Sequence, residues 1–201
     1  MNEKILNHFK KSDPILYTYA LKVRELMPIE MSQPEQYFLH LCMQIMSQQL
    51  SDKAGDAIFA RFRNLFSNNT ILPSEVISMP HEKLRGTGMS HAKARYIKHL
   101  AQDIISGSLP LSDLHTMKDE EIIQVLTRVK GIGRWTAEMF LMFALGREDV
   151  FSFGDLGLKK GIMKVYGFRK EPARKRIEII VKKWSPFKTF ASRTLWASLR
   201  S

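Results

Sequence analysis

The chain has 201 residues, 44% of them hydrophobic and 25% charged, which is enough apolar material for one compact core or two small lobes and too much for a disordered chain. Lysine and arginine number 31 against 20 acidic residues, a formal charge of +11; this points to a polyanionic partner, although an ordinary basic enzyme has the same balance. The single cysteine, Cys42, excludes an intrachain disulfide and a four-cysteine iron–sulfur cluster, and no apolar run approaches a membrane span, so a cytoplasmic protein is expected.

Residues 1–31 read as one or two lead-in helices, with Ile15, Leu16, Tyr19, Ala20, Val23 and Leu26 at helical spacing after Asp13-Pro14. The next helix is expected to open at Ser32-Gln-Pro-Glu35, which has capping-box spacing and a proline in the first turn. It carries Phe38, Leu39, Leu41, Cys42, Ile45 and Met46 inward and ends at Ser47-Gln-Gln-Leu-Ser51. That loop is unusual, because Leu50 is exposed unless something covers it. Ser51 can cap an amphipathic helix through Ala54, Ile58, Phe59, Phe62, Leu65 and Phe66, and Asn68-Asn69-Thr70 with Leu72-Pro73-Ser74 reads as a loop and a new start.

Residues 79–107 hold a short helix, the turn Gly86-Thr-Gly88 and a long basic helix with Lys93, Arg95 and Lys98. The turn reads as a helix C-cap, with Ser90 and Lys93 within reach of a nucleic-acid backbone. Thr116-Met-Lys-Asp119 is the expected cap of the following helix. The histidines His8, His40, His81, His91, His99 and His115 show no metal-ligand spacing, and zinc is not expected. No stretch alternates with period 2 over more than a few residues, and the fold class is all-α.

The segment from Thr127 to Asp155 carries most of the chemistry. Ile122, Ile123, Val125, Leu126 and Val129 form an amphipathic run that stops at Gly131-Ile132-Gly133, and a more apolar run extends from Trp135 to Leu145. Such a helix, tight turn and helix can bind an anion, because the glycines permit positive φ and the first amides of the second helix have no partner within it. The same residues also suit a plain C-cap. Lys130 and Arg134 bracket the turn with charge, and Asp155 stands in Phe153-Gly-Asp-Leu-Gly157, where an aspartate on its own reads as an N-cap.

Gly131-Ile-Gly-Arg-Trp-Thr-Ala137 followed by Asp155-Leu-Gly-Leu158 resembles the helix-hairpin-helix-GPD superfamily of DNA base-excision glycosylases, and within it the 3-methyladenine DNA glycosylase II family. Ser47-Gln-Gln-Leu-Ser51, residues 84–94 and residues 184–196 resemble further parts of that family, so the likeness spans nearly the whole chain.

The resemblance implies two helical lobes flanking a groove, one of residues 34–110 and the other of residues 1–33 with 111–201. It implies a monofunctional glycosylase that flips an alkylated purine (3-methyladenine, 7-methylguanine) out of damaged double-stranded DNA and hydrolyses its N-glycosidic bond. Asp155, 20 residues after Trp135, becomes the catalytic carboxylate. Trp135, Trp196, Phe38 and Met139 correspond to the base pocket, Gln48, Gln49 and Leu50 to the wedge that fills the emptied stack, and Lys130, Gly131, Ile132, Gly133, Arg134 and Thr136 to contacts with the DNA backbone. The backbone carbonyls of Thr127, Val129 and Ile132 match positions that hold a monovalent ion, Na+ or K+.

Trp135 stands where strand-cleaving relatives use a lysine amine, so no lyase activity is expected. Two departures are Ser152, where the family commonly has proline, and Met139, where some relatives have an aromatic ring. A monomer with no further cofactor is expected. The competing readings are a non-catalytic helix-hairpin-helix module that only grips DNA, and a glycosylase for deaminated, oxidised or mismatched bases.

Overall fold

In a computed structural model, residues 2–23, 29–67 and 71–200 are described; Leu26 and Asn68-Asn69-Thr70 lie outside them. The described residues form helices and turns with no strand. In chain order the α-helices are α1 (Glu3–Ser12), α2 (Pro14–Lys22), α3 (Tyr37–Ser47), α4 (Asp52–Arg63), α5 (Pro73–Ser78), α6 (His81–Gly86) and α7 (His91–Ile105), then α8 (Asp119–Thr127), α9 (Arg134–Phe143), α10 (Leu156–Tyr166), α11 (Arg174–Lys182) and α12 (Lys188–Ser198). They fall into two compact units, one of residues 31–145 and one of residues 1–30 with 146–201.

In the unit of residues 31–145, α3 is central and packs against α4, α7 and α9. Its spacing turns Tyr37, Leu41, Cys42, Ile45 and Met46 into the interior, where each is fully buried. Each large side chain buried in this way contributes roughly 1.5–3 kcal/mol. The Tyr37 ring meets Phe140 of α9 edge-on at 5.4 Å. Gly55 lets α4 close on α3, since a Cβ there would stand 2.8 Å from Ser47 Oγ.

Both expected caps shift by a residue or two. Pro34–Gln36 is a 3-10 turn ahead of α3, and its reciprocal bond runs from the Gln33 N–H to Gln36 Oε1. Ser32 is used elsewhere: its hydroxyl bonds His40 Nε2 at 2.8 Å and its N–H donates to the Ala144 carbonyl. Before α8, Thr116 bonds back to the Asp113 carbonyl, and Lys118 N–H donates to Glu121 Oε2, so the helix opens on Asp119, Glu120 and Glu121. Three acidic residues in the first turn suit its positive end.

The boundary between units differs from the expectation. The hairpin α8–α9 belongs with the Gln48–Ser51 loop, not with Asp155, because α9 packs on α3 and Gln48 bonds directly to the hairpin turn. The resemblance implied a break near residue 110; the contacts within the chain put it at 145/146.

In the unit of residues 1–30 with 146–201, α2, α10 and α12 pack on one another around Phe9, Leu16, Leu158, Ile162, Trp184 and Leu195. Gly161 permits the close approach of α10 to α12, as a Cβ there would lie 2.8 Å from Leu195 Cβ and 3.0 Å from the Leu195 carbonyl oxygen. Asp13 is more than a cap. Its Oδ1 accepts from the Leu16 N–H, and its Oδ2 accepts from Tyr166 Oη at 2.6 Å and from Trp184 Nε1 at 3.1 Å, so a buried carboxylate ties three segments together. Burial, and then this carboxylate, push the Tyr166 phenol well above its ordinary range.

Candidate functional site

Asp155 is the N-cap of α10, and its Oδ1 accepts from the Leu158 N–H at 2.7 Å. The same oxygen accepts from Trp196 Nε1 of α12 at 3.0 Å. Two donors on one oxygen fix the carboxylate plane. Gly157 makes room for this arrangement, since a Cβ there would stand 3.0 Å from Asp155 Oδ1 and from Cδ1 and Nε1 of Trp196.

The segment leading to Asp155 is pinned from α12. Thr189 Oγ1 accepts from the Val150 N–H and donates to the Arg147 carbonyl, while Asp149 accepts from Lys188 Nζ, the Lys188 N–H and Ser185 Oγ. Ser152 is fully buried, and its carbonyl accepts the Asp155 N–H at 3.2 Å, closing the turn without a proline. Thr189 and Asp149 were not singled out from the sequence; their role depends on packing between segments some 40 residues apart.

In the other unit, the α8–α9 turn is built on Gly131 and Gly133. Gly131 has φ +97°, and a Cβ there would meet the Tyr96 ring of α7 at 2.4 Å, so the position excludes a side chain twice over. Gly133 is the extended N-cap of α9 and adds no side-chain cap of its own, so the amide end of α9 faces outward past a residue with nothing within 4 Å of a hypothetical Cβ. Ile132 is buried and donates its N–H to the Val129 carbonyl; Lys130 is exposed.

Two of the expected backbone contacts are turned to other uses. The Arg134 guanidinium is bidentate to Glu120, at 3.0 Å for each bond, and its Nε binds Glu138 at 3.0 Å; these carboxylates raise its pKa further. Thr136 is buried, and its hydroxyl accepts from Gln48 Nε2 at 3.1 Å. Both side chains are thus engaged with partners inside this unit, Arg134 with Glu120 and Glu138 and Thr136 with Gln48.

The Gln48–Ser51 loop divides its three wedge candidates. Gln48 points inward as a strut, donating to the Gly131 carbonyl at 3.0 Å as well as to Thr136. Gln49 has φ +59°, the one positive φ outside glycine among the described residues, and it is exposed. Leu50 follows with 40% of its surface open and its N–H bonded to the Ser47 carbonyl. Lys93 supports the loop from α7 by donating to the carbonyls of Met46 and Gln48, and burial lowers its pKa. Its expected reach to a nucleic-acid backbone is thus replaced by an internal brace, and Ser90 is the N-cap of α7.

Of the four base-pocket candidates, Trp135 is 36% exposed and Trp196 partly so, whereas Phe38 and Met139 are each only 3% exposed. The last two sit in the core of α3 and α9 and offer no face to a base in this conformation.

A profile described as "HhH-GPD superfamily base excision DNA repair protein" matches residues 42–187. The chain belongs to this superfamily. A DNA-3-methyladenine glycosylase 1 of Schizosaccharomyces pombe is 37% identical over 154 residues, covering 76% of this chain and 68% of that protein. A putative DNA-3-methyladenine glycosylase of Bacillus subtilis is 32% identical over 171 residues, covering 81% of this chain and 60% of that protein. The solved Schizosaccharomyces pombe 3-methyladenine DNA glycosylase in complex with abasic DNA superposes with a TM-score of 0.90 at 32% identity, over 98% of this chain and 97% of that one. In this HhH-GPD chain the hairpin turn and the aspartate therefore occupy one matched region, and Trp196 lies just beyond it.

Proposed function

We propose that the protein is a monofunctional DNA glycosylase that releases alkylated purines, 3-methyladenine and 7-methylguanine among them, from damaged double-stranded DNA in base excision repair. The observation that carries this reading is the fixed carboxylate: Asp155 held through one oxygen by the Leu158 amide and the Trp196 indole, in a chain 37% identical to a DNA-3-methyladenine glycosylase. An N3- or N7-alkylated purine is already cationic. When its C1′–N bond breaks, the electron pair leaves with the base, which becomes neutral, and the sugar is left as an oxocarbenium-like cation. A held carboxylate stabilises that cation and orients the water that attacks C1′, and the water's proton passes to the carboxylate or to solvent.

Trp135 and Trp196 keep exposed surface, and a cationic base stacks on indole with about 0.5–2 kcal/mol of cation–π attraction. Trp135 also bears on the lack of lyase activity. It occupies the second position of α9 with an indole, which cannot form a Schiff base with the sugar. Gln49 and Leu50, at the tip of a braced loop, are the better wedge candidates, with Gln48 as their support. The α8–α9 turn receives a phosphate, and the neutral carbonyls of Thr127, Val129 and Ile132 suit a hard monovalent cation such as Na+ or K+. The Val129 carbonyl, which already accepts the Ile132 N–H, has a second lone pair for it. Replacing K+ by tetramethylammonium at constant ionic strength should weaken DNA binding if that ion is held. Among the described residues no helix is long and apolar enough to cross a membrane, and the reading takes the protein to be a cytoplasmic monomer acting on DNA.

The decisive experiment compares wild type with Asp155→Asn on methylated duplex DNA and on an abasic-site analogue. Asparagine keeps an oxygen for both donors, so the fold and the cap survive while the charge is lost. Release of methylated purines by the wild type with no strand cleavage, and tight binding but almost no release by the variant, is the expected result. If neither protein releases a base while both bind DNA, the chain is a binding module and Asp155 only caps α10.

A further inference from the structure

We propose that His81, Glu82 and His91 form a binding site for a divalent transition metal, with Zn2+ as the test ion. His81 and Glu82 open α6, and His91 opens α7 on the far side of the Gly86–Ser90 turn. Nothing in the glycosylase reading uses these residues. Eight residues separate the ligand pair from the third member in sequence, and only the turn brings them together, so the spacing of the histidines gives no warning of it.

The geometry fits a shared ion. His81 Nε2 and His91 Nδ1 lie 3.2 Å apart, with the two rings nearly parallel at an interplanar angle of 15°. Two imidazole nitrogens bound tetrahedrally at about 2.0–2.1 Å stand about 3.3–3.4 Å apart, so the separation needs almost no adjustment. Glu82 offers a carboxylate oxygen, and the three ligand atoms all lie within 4.8 Å of one another. This is the one such group among the described residues. Two neutral imidazoles and one carboxylate leave a fourth position for water.

Without metal, one ring donates a hydrogen bond to the other; with metal, each neutral ring keeps its proton on the opposite nitrogen and both lone pairs bind the ion. Glu82 is also paired with Arg85 at 3.0 Å, but that pair is exposed and screened by water, so the carboxylate can turn to the metal at little cost. The positive ends of α6 and α7 oppose a cation and weaken its binding. A bound ion clamps the start of α6 to the start of α7, the helix whose Lys93 braces the Gln48–Ser51 loop.

The test titrates the full-length, chelator-treated protein with Zn2+ against a chromophoric competitor, with thermal unfolding followed in parallel. Wild type is expected to take up one Zn2+ per chain and to unfold at a higher temperature with zinc than without it. The double variant His81→Ala/His91→Ala should bind at least tenfold more weakly and lose the thermal shift. Glu82→Gln should weaken binding, and His99→Ala, on the exposed face of α7, should bind as wild type does. Circular dichroism and the metal-free midpoint establish that each variant is folded. Absence of zinc uptake by wild type, or equal affinity in the double variant, overturns the site; equal affinity in Glu82→Gln overturns the part assigned to the carboxylate.

Discussion

Trp196 gives its indole N–H to Oδ1 of Asp155 at 3.0 Å, the oxygen that already caps α10 through Leu158. A residue expected only to stack on a base is thus also a positioning residue for the carboxylate. Trp196→Phe keeps an aromatic face and removes the donor. A hydrogen bond to a charged group is typically worth about 1.5–3 kcal/mol, so single-turnover base release should fall by about 10- to 150-fold. Binding to an abasic-site analogue should change far less. Equal loss in both would mean that the ring's stacking, and not its N–H, is what matters.

Gly157→Ala tests the same contact by crowding it. The new Cβ would press at 3.0 Å on both Asp155 Oδ1 and Trp196 Nε1, so one or both must shift away from it. Base release is expected to drop at least tenfold with a stability loss of about 1–3 kcal/mol, read from single-turnover rates and from urea denaturation. An unchanged rate would show that the carboxylate tolerates displacement.

Much of this was legible in the sequence, because it is local. The helices follow from apolar spacing, and Asp155 follows from its place in a short motif that also carries its cap. What sequence order could not supply was the use of side chains across long separations. Gln48 reads as part of a wedge but bonds to Gly131, and Arg134 reads as a phosphate contact but is occupied by Glu120 and Glu138. Lys93 reads as surface charge but braces a loop 45 residues away. Each of these polar groups has a partner that exists only once α3, α7, α8 and α9 have packed, and the unit boundary was misplaced for the same reason.

Gly131→Ala should be costly. It combines a positive φ with a Cβ set against the Tyr96 ring at 2.4 Å, so strain and overpacking add to roughly 2–5 kcal/mol. Chemical denaturation measures the loss. Gly133→Ala, which meets nothing within 4 Å and has no positive φ, should cost much less stability while still crowding a phosphate at the turn. A clear loss of DNA affinity in Gly133→Ala without a matching loss of stability would support the anion-binding role of this turn.

Lys130 and Arg134 flank the turn but should behave differently on DNA. Lys130→Ala is expected to reduce the slope of log affinity against log salt by about one, as for the loss of one phosphate contact. Arg134 is held by two carboxylates, so Arg134→Ala should change that slope by less. It should instead lower stability, because buried Glu138 loses this ion pair. Binding measured at several salt concentrations, beside thermal unfolding, separates the two. A larger salt effect from Arg134 would mean that its ion pairs open when DNA arrives.

His40 makes stability depend on pH in a predictable direction. Burial lowers its pKa from the ordinary 6.5, and its Nε2 is bonded to the Ser32 hydroxyl, which also fixes the approach to α3. The folded state therefore binds this proton less readily than the unfolded chain does. In the window between the lowered folded value and 6.5, the unfolded state carries more protons, so stability rises with pH there and falls as the pH drops through 6.5 toward the folded value. Above that window the contribution is fully present and no longer changes. Denaturation of wild type and His40→Gln across that range gives the contribution by difference, since the other histidines are common to both. His40→Gln should show a shallower loss of stability on acidification, and identical slopes would mean that the ring is charged without penalty in the folded protein.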